Sequence, residues 1–190
     1  YADGKLFVQI GNGRIQALDF ATLKCTWVTE SVGGQTVSPI SYVNIDGTGY
    51  IYLGTWNGEK NDGTFFCATT DDKNVTDGVK KVTWKFIPSG STKDTDPSIT
   101  YDEDLNATLN QDGNTAKRGF YWAGAYASEK YIAVGSDDGS GEESQASNAV
   151  LYTLDPKTGK IIDKISGIMG DIRTTMVYDN GYLYFATKGG

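Results

Sequence analysis

The chain contains no histidine and only two cysteines. Without an imidazole there is no Ser-His-Asp or Cys-His activation of a nucleophile, and no histidine-containing zinc site. Cys25 and Cys67 form no CxxC pair. Two thiols are too few for a disulfide framework, so both are expected to be free, reduced and mostly buried. Proline is scarce, at 4 residues. No apolar run approaches the ~18 residues of a membrane span, and no long stretch shows the 3.6-residue apolar period of a helix, so helix should be minimal. Seventeen Lys and Arg face 24 Asp and Glu, for a net charge of −7. No basic stripe is present to meet phosphates or anionic headgroups, which argues against nucleic acid and against direct membrane insertion. The sequence begins at Tyr1 without a signal-peptide pattern. Any targeting segment is therefore expected to have been removed or to lie outside it.

What is abundant is glycine, at 24 residues, and tyrosine, at 12. With many Thr, Ser and Asp, this is the composition of short strands joined by turns. The strands recur. Tyr1-Ala-Asp-Gly-Lys-Leu-Phe-Val parallels Tyr178-Asp-Asn-Gly-Tyr-Leu-Tyr-Phe, and Tyr50-Ile-Tyr-Leu-Gly-Thr parallels Tyr131-Ile-Ala-Val-Gly-Ser. Asp-Gly and Asn-Gly pairs mark the hinges at Asp3-Gly4, Asp46-Gly47, Asn57-Gly58, Asp62-Gly63 and Asn180-Gly181; such pairs accept the positive φ that hairpin turns require.

A four-strand unit, A to D, accounts for the spacing. The first unit has B at 5–10, C at 14–19 and D at 24–30. The second has A at 35–43, B at 50–55, C at 64–70 and D at 80–87. The third has A at 119–127, B at 131–136, C at 148–154 and D at 160–165. The fourth has A at 172–178 and B at 182–187. Units of about 40–60 residues of this kind fit the blades of a β-propeller. The expected fold is all-β, an incomplete ring of three to four four-stranded antiparallel blades. The blades should run over 1–32, 33–90, 115–168 and, in part, 169–190, with a long insert over 88–118. The first unit lacks A and the fourth lacks C and D, so the chain is expected to be part of a larger ring or to self-associate through exposed strand edges.

Ala17-Leu-Asp-Phe-Ala-Thr-Leu-Lys-Cys-Thr-Trp27 resembles the PQQ-like repeat of quinoprotein-type propellers, Ala-x-Asp-x-x-Thr-Gly-Lys-x-x-Trp, with Leu23 in place of glycine. Leu154-Asp-Pro-Lys-Thr-Gly-Lys160 is similar, with Asp163 in place of the tryptophan, and the second unit keeps Trp84 but has an expanded C–D turn over 70–79. The motif residues are Ala17, Asp19, Thr22, Trp27, Trp84, Asp155, Thr158 and Gly159. The aspartate can cap amides of the turn. The tryptophan can dock on a neighbouring blade, burying roughly 150–250 Å². The resemblance implies a fold that hosts unrelated activities. Family dehydrogenases bind pyrroloquinoline quinone on the propeller axis with calcium, a catalytic Asp and often a disulfide between adjacent cysteines. Here no two cysteines are adjacent and fewer than half the blades are present, so no quinone binding is expected.

Asp102, Asp104 and Asn106 mimic the first half of a calcium loop, but Ala107 and Gly113 stand where glycine and a bidentate Glu belong. Calcium is possible there, and a solvated acidic loop is the simpler reading. Asn44-Ile-Asp46-Gly-Thr-Gly49 resembles the calcium loop of integrin-type propeller repeats without its closing carboxylate, and reads as a plain turn. Asp137-Asp-Gly-Ser-Gly-Glu142-Glu143 is a carboxylate-rich loop, and Asn74-Val-Thr and Asn106-Ala-Thr match glycosylation acceptors. The inferred long connections, 56–63, 88–118 and 137–147, all fall on the propeller face shared by the B–C and D–A loops, where rigid scaffolds tend to carry function. Candidate ligand-binding residues on that face are Trp56, Asn57, Glu59, Asp102, Asp104, Asp137 and Asp138, with no catalytic residue assigned. The expected function is a non-catalytic binding or scaffold module of a bacterial secreted or cell-surface protein, with a protein or carbohydrate ligand and no required cofactor. The alternatives are a propeller enzyme (quinoprotein dehydrogenase or carboxylate-based hydrolase or lyase) and a lipoprotein that scaffolds outer-membrane protein assembly.

Overall fold

The structure, a computed structural model, describes residues 1–58, 61–88, 95–103, 117–140 and 147–189, and these contain strands and no helix. The strands run in chain order as β1 (Lys5–Ile10), β2 (Arg14–Asp19), β3 (Cys25–Thr29), β4 (Ser41–Ile45), β5 (Thr48–Gly54), β6 (Phe65–Thr69), β7 (Val75–Thr76), β8 (Val79–Lys80), β9 (Trp84–Ile87), β10 (Ile99–Tyr101), β11 (Tyr126–Ala127), β12 (Ile132–Gly135), β13 (Ala149–Leu154), β14 (Ile161–Ile168), β15 (Val177–Asp179) and β16 (Tyr182–Tyr184). They form four sheets, ordered β1-β2-β3-β8-β7, β10-β9-β6-β5-β4, β11-β12-β13-β14 and β15-β16.

Alternation decides which neighbour each strand faces. On β5, Ile51 and Leu53 join Ile15, Ala17 and Trp27 in one core, while Tyr52 joins Trp84, Val134 and Tyr152 in the next. On β12, Val134 packs toward the second sheet and Ala133 toward Ile172 and Met176, in the segment leading into β15. The middle sheets are therefore buried on both faces, which explains why their strands read as near-continuous apolar runs.

The tryptophans tie sheet to sheet. Trp27 lies opposite Ala17 on the ladder and donates its indole N–H to Asp72 of the second unit's C–D connection (3.0 Å). Trp84 lies opposite Cys67 and donates to the carbonyl of Pro156 in the third unit's C–D turn (3.1 Å). Both rings are buried. Those turns have one geometry. The Asp19 carboxylate accepts from the N–H and hydroxyl of Thr22 at 2.8 and 2.6 Å, and Asp155 does the same for Thr158 at 2.8 and 2.8 Å. The Thr22 hydroxyl holds the Asp19 carboxyl below its usual range. The next residue takes positive φ, +55° at Leu23 and +69° at Gly159.

The sheets depart from the expected four antiparallel strands in two places. The C–D connection of the second unit folds into the β7–β8 hairpin, and β8 pairs in parallel with β3 of the first sheet, so the expected strand 80–87 is divided between two sheets. In the second sheet, β10 adds in parallel to β9. Both extra strands cover an outer edge that would otherwise present unpaired amides. Lys80 is buried, 5.2 Å from the Trp27 ring centroid, with its ammonium donating to the Asp71 carboxylate and to the carbonyls of Asp71 and Lys73. The A strands are shorter than expected. Pro39 lacks an N–H to donate, and Gln35 bridges Trp56 instead. In the third unit, residues before Tyr126 spend their amides on adjacent loops. Asp46-Gly47 forms the β4–β5 turn with φ of +52° and +81°, closed by Asn44.

Cys25 and Cys67 are free. Cys67 is buried behind Trp84, and burial pushes its thiol pKa up. Cys25 is exposed, contrary to the expected burial, because the register shift between Ala17 and Leu18 carries it to the sheet surface. A thiol titration is expected to find one reactive group in the folded protein and a second only after denaturation. Two opposite effects are expected at the equivalent turn positions. Gly159→Ala places a Cβ 2.4 Å from the Trp84 ring and should cost at least about 2 kcal/mol through overpacking and left-handed strain. Leu23→Gly relieves that strain at an exposed site and should gain about 0.5–1 kcal/mol. Denaturant melts of both variants check the pair.

Candidate functional site

Along one face, the segment leading into each A strand is stitched to the segments leaving neighbouring B strands. Gln35 and Trp56 exchange backbone hydrogen bonds at 2.6 and 3.0 Å. The Phe120 amide donates to the Thr55 carbonyl (3.0 Å), the Asp137 amide to Gly119 (2.9 Å), and the Ile172 amide to Ser136 (3.2 Å). This continuous belt holds Trp56, residues 118–122, Asp137, Asp138 and residues 171–173 in one cluster. The belt packs closely at Gly119. A Cβ there would lie 3.2 Å from the Asp137 carboxylate, the Thr55 carbonyl and the Trp56 ring alike.

The carboxylates fasten the belt. Asp137 accepts from the amides of Gly119 (3.2 Å) and Tyr121 (3.3 Å). Asp171 accepts from the Asp138 amide (2.9 Å) and pairs with Arg173 (2.6 Å). Asp138 caps the amide and hydroxyl of Ser140 at 2.8 and 2.5 Å. Burial, then the nearby Asp171 charge, pushes the Asp137 carboxyl up to about 7. Burial also raises Asp171, against the Asp138 amide and Arg173, which lower it. Arg118 is buried, with its Nε–H donating to the Asn148 carbonyl (2.9 Å) and with Tyr152, Asp62, Asp102 and Asp138 around it.

Three aromatic rings complete the cluster. Trp56 and Tyr121 lie 5.1 Å apart, and Tyr121 stacks on Trp122 at 4.3 Å and 22°. The Arg173 guanidinium sits 5.0 Å from the Tyr121 centroid and 5.4 Å from Trp122. Trp122 is 47% exposed and takes φ +58°.

Of the residues expected on this face, Trp56, Asp137 and Asp138 come together there, and Asn57 is exposed at its margin. Asp102 is buried beneath the cluster against β13 and β14, near Arg118, where the Tyr152 hydroxyl donates to it (3.0 Å) and Lys164 pairs with it. Glu59, Asp104 and Asn106 lie outside the described residues. Sequence reasoning missed Tyr121, Trp122, Asp171 and Arg173. The signal was the aromatic run Phe120-Tyr121-Trp122 just before a small-residue stretch. Among the described residues, no group of three His, Cys, Asp or Glu side chains is arranged to hold a metal ion.

Solved structures with a similar arrangement are BamB from Moraxella catarrhalis (17% identity, TM-score 0.56, 98% of this chain on 41% of that one) and a europium-containing methanol dehydrogenase (15%, TM-score 0.52, 87% on 31%). A third is quinohemoprotein alcohol dehydrogenase ADHIIG from Pseudomonas putida HK5 (14%, TM-score 0.51, 96% on 29%). These are PQQ-like β-propeller folds. The chain has a β-propeller fold. Its sheets are blades, and the belt lies on the face of the B–C and D–A loops. At such identities the likeness carries the fold alone, and the chain spans about two fifths or less of each neighbour's length. No family model and no curated protein matches the chain.

A carboxyl whose folded pKa is raised favours the folded state most when protonated. The Asp137 contribution is complete below the unfolded value of about 4 and is lost as the pH rises through about 7. Asp171 acts with the same sign. Stability is expected to fall by a few kcal/mol between pH 4 and pH 8, and Asp137→Asn is expected to flatten most of that slope. Thermal midpoints across this range, for both proteins, provide the measurement.

Proposed function

We propose that the chain is a non-catalytic propeller module of a bacterial secreted or cell-surface protein, and that it binds a protein or carbohydrate ligand on the belt face. One observation carries this reading. The carboxylates of the belt are engaged in holding backbone amides and Arg173, while the aromatic rings beside them reach the surface. A carboxylate-based glycoside hydrolase needs two carboxyl groups flanking a common reacting bond; Asp137 and Asp171 instead hold backbone amides and Arg173. The non-cytoplasmic location rests on the acidic composition, the absence of histidine and the low cysteine count.

The fold neighbours raise quinoprotein chemistry as the alternative. The residues present do not fit it. Cys25 is exposed on β3 of the first blade and Cys67 is buried in the second, so the vicinal pair typical of such dehydrogenases has no counterpart. The carboxylate nearest a calcium-loop pattern, Asp102, is already met by Tyr152 and Lys164. Outer-membrane scaffolding belongs to the same binding class.

Dye-linked oxidation of methanol and ethanol, with pyrroloquinoline quinone and calcium added, is expected to show no turnover, and calorimetry no micromolar quinone complex. Alcohol-dependent dye reduction that follows the added quinone would overturn the binding-module reading.

A further inference from the structure

We propose that Trp122 forms a shelf for an uncharged sugar ring, backed by Tyr121 and Trp56, so that the belt face binds a neutral glycan. The inference rests on the binding-module reading and names its ligand class. It starts from backbone strain. A bulky aromatic residue at φ +58° is an outlier in the left-handed region, and such strain persists only where the surroundings enforce it. Here they do. The Phe120 amide is tied to Thr55, the Tyr121 amide to Asp137, and the Gly124 carbonyl to the Met176 amide (3.1 Å). Pinned on both sides, the chain turns the Trp122 side chain outward rather than into the core that Phe120 occupies.

The shelf is also rigid. Trp122 stacks on Tyr121, and Tyr121 leans on Trp56, so one exposed ring rests on two others. Arg173 lies against both Tyr121 and Trp122 and is held in turn by Asp171. A ring fixed in this way loses little entropy when a ligand lands on it.

Charge then selects the ligand. The guanidinium of Arg173, 5.0 Å from the Tyr121 centroid and 5.4 Å from Trp122, sets a positive charge beside the exposed ring. A second cation there meets repulsion. An anion meets Asp137, Asp138 and Asp171 in the same cluster, on a chain of net charge −7. What remains is a neutral, hydroxylated molecule. The C–H face of a sugar ring carries weak positive charge and matches the negative face of an indole, and the exposed Asn57 amide beside Trp56 offers both a donor and an acceptor for hydroxyl groups. A purely apolar peptide would cover one ring and strand the polar rim around it.

The test uses retention on immobilised laminarin, xylan and mannan, together with calorimetry on maltohexaose, for the unaltered chain, Trp122→Ala, Trp122→Phe and Tyr182→Ala. Tyr182 is an exposed ring on β16 and serves as the control. The unaltered chain is expected to bind at least one of these glycans. Trp122→Ala should weaken binding by at least about tenfold, the worth of one stacked ring. Trp122→Phe should lose less, and Tyr182→Ala should bind unchanged. Affinity should vary by less than about twofold between low and high salt, because neither partner's charge is used. Absence of binding to all four glycans, or binding that survives Trp122→Ala, overturns the shelf and leaves the binding-module reading standing. Release of new reducing ends from a bound glycan overturns the binding-module reading instead.

Discussion

The contact on which the architecture depends is a tryptophan from the D strand of one blade laid on the C–D turn of the next. Neighbouring blades pack face to face. Each is a sheet that must bury both faces against neighbours. The indole supplies area and one directional bond, Trp27 to Asp72 and Trp84 to Pro156. The directional bond fixes the angle between blades, and the Asp–Thr turn presents a backbone tight enough to receive the ring. Glycine at the third turn lets Trp84 approach to van der Waals distance. Where the third unit has Asp163 instead of tryptophan, β14 leaves Ile162 and Ile165 more than half exposed.

With the blade angles set, the loops on one face have little freedom. Their amides are traded between the start of one A strand and the end of the neighbouring B strand, and the carboxylates of Asp137 and Asp171 take up the amides that remain. Charge is concentrated there at a cost. Two buried carboxyls in proximity resist ionisation. The cluster tolerates this because Arg173 neutralises one of them and because each carboxylate holds a backbone segment that would otherwise leave a buried donor unpaired.

The strands legible in the sequence were those with local causes. Lys5–Ile10 and Arg14–Asp19 fall where alternation and the Gly11-Asn12-Gly13 turn place them, since hairpin register needs nothing distant. The β7–β8 hairpin and β10 depend on parallel pairing with strands of another segment, which leaves no periodic trace in so few residues. The A strands read too long because Gly119 to Gly124 has the composition of a strand but gives its hydrogen bonds to loops. The site divided along the same line. Trp56, Asp137 and Asp138 stood out because they lie in long connections. Tyr121 and Trp122 were hidden inside an apparent strand, and Asp102, which looked like a solvated ligand, is buried by partners 50 and 62 residues away.

The hairpin that the second unit lends to the first has a consequence for how the chain may be divided. The blade limits drawn along the sequence cross a sheet in space, since β8 completes the outer edge begun by β3. Cutting near Gly33 would separate two pieces of which neither is whole. One would lose the strand that seals its flank, and the other would carry a hairpin with nothing to lie on. The smallest exchangeable module at this end of the protein is therefore a pair of blades, and a recombination or domain graft that respects only the repeat period would break it.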